Sequence, residues 1–307
     1  MIPDLAALTL ATALAFAGPQ DPPPSDPDAA STTSLSDVIV DGRTLEARVE
    51  AFVEEVAAPP RRRGLARWDD PVCIGVANIR PDIARAMIDH VSRTALDLGL
   101  RVEEPDCSPN VLVIFSDDGR ALAAGLVERD RDAFHLGVGG MDRGKSRLET
   151  FTTGDQPVRW WQVSLPVAGP HRVRAIRLPG DFERRYVAGE GLLNRGRFVS
   201  DNLNKVIIVI DAGEVAHVTL PQLSDYVALV ALAQVDIEGE TGGYPTILNL
   251  FENPAGTPGL SAWDGAYLRT LYEAPSERLN PGGHARIMAR ALGREEAAAP
   301  GEAGSAD

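Results

Sequence analysis

The stretch TLPQLSDYVALVALAQVD, Thr219 to Asp236, decides how the rest of the chain is read. From Tyr226 to Ala233 every residue is apolar or aromatic. A helix that is apolar all round has no face for water and has to be buried. Its start is marked three times over. Thr219 can cap, Gln222 follows three residues later as in a capping box, and Pro221 falls in the first turn, where its missing N–H is harmless. The polar residues Gln222, Ser224, Asp225, Gln234 and Asp236 lie at the two ends. The stretch therefore predicts one central buried helix around which the second half of the chain packs.

Working outward, Lys205 to Asp211, KVIIVID, is the most strand-like run and is expected at the centre of a sheet. Pro157 to Pro166 alternates Val158, Trp160, Gln162 and Ser164 against Arg159, Trp161, Val163 and Leu165, which predicts a further strand. Val72 to Ala77, a helix over Pro81 to Leu98 and Val111 to Phe115 give a strand, helix, strand order with apolar strands, as in a sheet with covered faces. A short helix is expected over Ala121 to Val127. Leu45, Val49, Phe52, Val53 and Val56 recur at helical spacing within Asp41 to Ala57. After the central stretch come a short apolar piece, Thr246 to Phe251, a helix capped by Ser261 and running through Tyr272, and a last helix over Gly283 to Leu292. The expectation is a single α+β domain over 41–292, with one mixed sheet and a central buried helix, followed by a disordered tail over 293–307.

With 307 residues, 44% hydrophobic and 24% charged, the chain can bury a sizeable core. The net charge of -14 argues against nucleic acid and anionic membrane surfaces as partners, because both attract clustered positive charge. Leu5 to Ala17 is an apolar run of signal-peptide length, too short to span a bilayer, and Ala15-Phe16-Ala17 fits a small-x-small cleavage site. Residues 1–17 thus read as a signal peptide, 18–40 as a Pro/Asp/Ser-rich disordered spacer, and the mature chain as periplasmic or secreted with no transmembrane segment. Asp4 and the lack of Lys or Arg before the apolar run depart from the usual pattern. Cys73 and Cys107 read as a disulfide in an oxidising compartment, with two buried free thiols as the alternative.

The runs PVCIGV, DCSPNVLVIF, PVRWWQVS, LSDYVALVALAQVD, YPTILNLFENP and LSAWDGAYLRTLYEAP resemble exported bacterial proteins of unknown function, some of which carry a zincin-like, metallopeptidase-related domain. The resemblance covers Leu65 to Pro275 and implies a zincin-like second half. In those relatives the central helix bears His-Glu-x-x-His or a remnant of it. Here the two ligand positions fall on Tyr226 and Val230, and the general-base position on Val227. The chemistry needs two imidazoles at i and i+4 with a carboxylate beside them, so the resemblance implies a helix retained and a catalyst lost.

Other constellations carry competing readings. Gly139 to Ser146, GGMDRGKS, matches the P-loop pattern, with Lys145 for the phosphates and Asp211 as a magnesium ligand. The strand expected before it, Phe134 to Val138, is weak, and the helix after it is short. His217 stands near Asp211, Glu214 and Asp225, which makes a hydrolase site conceivable, yet one histidine is not a metal site. Ser224 beside Asp225 reads as capping, since adjacent helix residues do not face each other. Arg159, Trp160 and Trp161 suggest a ligand platform, or else one core ring and one partly covered ring. Arg61 to Arg63 reads as a solvated loop. The sequence reading is a non-catalytic binding or structural module of the cell envelope, without cofactor, whose partner is an envelope protein or polymer. A metal-dependent hydrolase near His217 and a P-loop NTPase are the alternatives.

Overall fold

The structure, a computed structural model, describes residues 44–57, 59, 64–134, 144–168, 173–176, 186–187, 199–274 and 281–298. The residues expected to form a signal peptide (1–17) and a spacer (18–40), together with Arg61 to Arg63, Gly139 to Arg143 and residues 299–307, lie outside them. The described residues fall within one contact unit, Arg43–Asp307.

The parallel part of the sheet forms first in the sequence. Strand β1 (Ile74–Ala77) leads into α2 (Pro81–Asp97) and returns as β2 (Val111–Ser116), which pairs parallel with β1. The long strand β6 (Val199–Asp211) then pairs parallel with β2 on one side and antiparallel with β3 (Val158–Ala168) on the other. Two short strands, β4 (Val173–Ile176) and β5 (Tyr186–Val187), extend the sheet beyond β3, giving the order β1-β2-β6-β3-β4-β5. The fold is α+β with one mixed sheet, and the KVIIVID run lies at its centre as expected.

The alternation along β6 and β3 separates two cores, because successive side chains point to opposite faces. Val158 and Trp160 join Val206, Ile208 and Ile210 on the face covered by α2 and the central helix α5 (Leu220–Leu232). Trp161 and Val163 join Ile207 and Val209 on the other face. There α3 (Gly119–Arg129) and α4 (Lys145–Thr153) pack, with Phe134 from a 3-10 turn, Arg131–Phe134; the rest of the weak strand Phe134 to Val138 lies outside the described residues. Helices α1 (Leu45–Val56), α6 (Ala262–Glu273) and α7 (Pro281–Ala298) complete the larger core. The expected end of the last helix at Leu292 is too early. The chain continues helical to Ala298, through residues that favour helix, and Gly293 lies close to Leu45 of α1.

Helix α5 begins as the sequence predicts, with Thr219 and Gln222 in a reciprocal capping box. It ends sooner. Ala233 is extended, and the following residues bridge antiparallel to the end of α1 through Ala57 and Val235. The end of α5 is buried, so its last carbonyls cannot turn to water and need protein donors. Each has one. The Gln162 side-chain amide donates to the carbonyls of Val230 (2.7 Å) and Ala233 (2.6 Å). The Trp68 indole donates to Ala231 at 2.7 Å, and the Tyr272 hydroxyl donates to Leu232. One residue further on, the Trp160 indole donates to the Val235 carbonyl at 3.1 Å. Arg67 does the same for α6, donating to the carbonyls of Leu271, Tyr272 and Ala274.

Cys73 and Cys107 form a disulfide with Cα atoms 6.1 Å apart, tying the approach to β2 to the start of β1. Closing a loop over a sequence separation of 34 stabilises by about 4 kcal/mol in the chain-entropy model. Reduction is therefore expected to lower the urea midpoint substantially without changing the far-ultraviolet spectrum of the folded state. Gln162→Leu, which leaves two buried carbonyls and the Val235 N–H without this partner, is expected to cost about 3 kcal/mol, and Tyr272→Phe, which leaves the Leu232 carbonyl without its donor, about 1 kcal/mol. Urea denaturation of the three proteins at neutral pH checks the order.

Candidate functional site

The residues singled out in the sequence are not gathered into one place. His217 and Glu214 sit in the turn between β6 and α5 and are exposed. The His217 ring packs edge-on to Phe251, with centroids 6.4 Å apart. Asp211, the candidate magnesium ligand, caps instead. Its two carboxylate oxygens accept the N–H groups of Gly119, at the start of α3, and of Gly213, both at 3.2 Å. Lys145 is the first residue of α4, but most of the glycine-rich loop before it lies outside the described residues. Among the described residues no group of three or more His, Cys, Asp or Glu side chains is placed to hold a metal ion.

The ligand positions implied for a zincin helix lie in the core. Tyr226 is buried against Trp160 and Phe251, with ring centroids at 6.1 and 5.0 Å. Burial pushes its hydroxyl pKa above the ordinary tyrosine value, with a smaller contribution from Glu252. Val227 and Val230 are fully enclosed. Nothing at these positions can coordinate zinc or accept a proton at neutral pH.

Arg159, Trp160 and Trp161 do not present a ligand platform. Both indoles are buried and donate to main-chain carbonyls, Trp160 to Val235 and Trp161 to Phe134. One ring fills each of the two cores, because consecutive strand residues face opposite sides and both faces of this sheet are covered. Arg159 is also buried, donating to the carbonyls of Gly154 (2.9 Å) and Gln156 (3.1 Å). Burial lowers its pKa, and nearby Arg120 adds to that, while Glu214, Asp211 and Asp118 oppose it.

Asp225 does acquire a partner, though not His217. His90, in the middle of α2, places Nε2 2.6 Å from Asp225 Oδ1, and the other carboxylate oxygen accepts the Leu260 N–H at 3.1 Å. Gly259 passes so close that a Cβ there would stand 2.5 Å from Oδ2. Both side chains are partly exposed, 29% and 18%. A carboxylate that fixes an imidazole in this way is the arrangement of a general base. Among the described residues, however, no hydroxyl or thiol is bonded to the ring, and the Thr94 hydroxyl is directed at the His90 main-chain carbonyl. The pair joins residues 135 apart in sequence, and no local pattern announces it.

The Ser-x-x-Asp start of α6 is structural. Asp264 is fully buried and accepts from the Thr246 hydroxyl (2.5 Å), the Ile247 N–H (2.8 Å), and the N–H and hydroxyl of Ser261 (3.0 and 2.9 Å). Burial raises its pKa, and these donors oppose the rise. The carboxylate thus caps α6 and holds the preceding 3-10 turn, Ile247–Asn249, onto it.

Compared with family models, characterised proteins and solved structures, the chain shows no significant match. Among the described residues no helix is long and apolar enough to cross a membrane.

Replacing Asp264 with Ala leaves several buried donors unpaired and is expected to cost about 3 kcal/mol. Asp225→Ala, at a partly exposed pair, is expected to cost about 1 kcal/mol. Thermal unfolding of the two variants beside the parent protein measures the difference.

Proposed function

We propose that the protein is a non-catalytic binding or structural module of the cell envelope, built on a zincin-like layout whose metal-binding helix has become a core element. The layout that supports this reading is a central strand leading into a buried helix, β6 into α5, with α2 beside α5 on the same sheet face and an antiparallel strand, β3, flanking β6. The observation that carries it is the occupation of the implied ligand and base positions by Tyr226, Val227 and Val230, all enclosed by packing. The disulfide is in keeping with an oxidising compartment outside the cytosol. The acidic charge favours an envelope protein or polymer that is not itself strongly anionic.

A second reading, hydrolysis, draws on the His90–Asp225 pair and not on His217. In that reading His90 would act as the base, and a nucleophile would have to come from water.

Elemental analysis of the exhaustively dialysed protein, with His217→Ala and His90→Ala beside it, separates the two. The module predicts no stoichiometric zinc in any of the three and no ester or peptide hydrolysis that depends on either histidine. One equivalent of zinc lost on replacing His217, or turnover lost on replacing His90, would overturn it.

A further inference from the structure

His284 is fully buried where α7 packs on α6. Its ring stacks on Tyr267 with centroids 4.7 Å apart and planes 17° from parallel. Nε2 lies 2.7 Å from the Thr270 hydroxyl and 3.1 Å from the Tyr267 carbonyl. That carbonyl can only accept, so Nε2 carries the hydrogen and Nδ1 the bare lone pair. Nδ1 is buried with no hydrogen-bond partner. A neutral ring is comfortable here. A second proton would have to go on Nδ1, creating a charged N–H with no acceptor inside an apolar seam.

We propose that His284 makes α7 an acid-released latch: protonation of the sealed imidazole undocks the C-terminal helix from α6 and α1 while the sheet stays folded. Three features favour release of α7 alone. Among the described residues it is the last helix, it belongs to no strand ladder, and it packs mainly on α1 and α6. Among the described residues its buried core contacts are Ala285, Met288 and Leu292, beside His284, with Ile287 and Ala289 partly buried against the same core. Undocking therefore breaks side-chain packing but no sheet hydrogen bonds.

The charged groups on the three elements leave the histidine to its surroundings. On α7, Arg286, Arg290 and Arg294 are exposed. On α6, Arg269 and Glu273 are exposed, and Asp264 is occupied by its four donors. On α1, Glu46, Glu50 and Glu54 are exposed, with Arg48 and Glu55 half-buried. None of them contributes to the proton affinity of His284. Burial pushes it down to about 4, opposed, among the described residues, by the Tyr267 carbonyl. Its folded pKa is thus below the ordinary histidine value of about 6.5, so docking is at full strength above about pH 6.5 and is lost progressively as the pH falls toward about 4.

Hydrogen exchange of the full chain, followed by mass spectrometry at about pH 7 and about pH 4.5 and corrected for intrinsic exchange rates, tests the latch. The expected result is a roughly fifty-fold loss of protection across α7, with β6 unchanged, and no such loss in His284→Phe, which keeps a ring on Tyr267. Loss of α7 and β6 protection together, or the same loss in His284→Phe, would overturn the proposal. Should that variant fail to fold, the ring-proton titration of His284 in the parent protein decides. Titration well below the ordinary histidine range, in step with α7 exchange, supports the latch, and titration near pH 6.5 with α7 still protected refutes it.

Discussion

The last carbonyls of α5 set the terms for the rest of the molecule. A helix apolar on every side can be buried without cost along its length, because its backbone groups bond to each other. Its final turn cannot, since those carbonyls have no partner within the helix and no water within reach. The chain resolves this with side-chain donors from three separate elements: Trp68 before β1, Gln162 on β3 and Tyr272 on α6. Arg67, next to Trp68, closes the buried end of α6 in the same way. The segment around residues 64–69 is accordingly a strap. It bonds to β6 through its main chain, at Arg67 with Asp201 and Leu203, and to both helix ends through its side chains.

This constraint also explains why β3 carries a buried glutamine. Gln162 faces the larger core between Trp160 and Ser164, a position that alternation alone would fill with an apolar residue. Its amide donates to two α5 carbonyls, and its oxygen accepts the Val235 N–H at 3.1 Å, so one side chain fixes β3 against the point where α5 ends. Ser164 in turn meets Gln234, whose oxygen faces the Ala66 N–H. Polar groups inside an apolar core are costly unless fully paired, and paired they specify a single arrangement. A helix held so tightly at its end and packed through Tyr226, Val227 and Val230 along its length is suited to hold a scaffold rather than to present reactive groups.

What could be read in the sequence followed from local physical chemistry. The Thr219–Gln222 capping box, the apolar period of α2 and the β-branched run of β6 are patterns within a few residues, and each element lies where the pattern placed it. The disulfide was legible because the chain has two cysteines, an even pair, behind a run of signal-peptide length. Features built from distant residues were not. His90 stands 135 residues from Asp225, which only folding brings beside it, and the donors for α5 are scattered between Trp68 and Tyr272. Alternation puts Trp160 and Trp161 on opposite faces of β3, which left open a platform or one core ring and one partly covered ring, because alternation does not say that both faces are covered. The end of α7 was placed too early because the Ala/Glu/Gly composition after Leu292 resembles a disordered tail, although most of its residues up to Ala298 favour helix.

The indole N–H protons report directly on whether the buried helix end is closed as described. The chain has four tryptophans. In the folded protein Trp68, Trp160 and Trp161 each donate to a buried carbonyl, while the Trp263 indole nitrogen is buried with no partner. Amide-type exchange of the four resolved indole signals, followed by NMR in deuterium oxide at neutral pH, should find Trp68 and Trp160 protected to the level of the β6 backbone amides and Trp263 exchanging first. Exchange of Trp68 or Trp160 as fast as Trp263 would contradict the account, because the end of α5 would then be open to water.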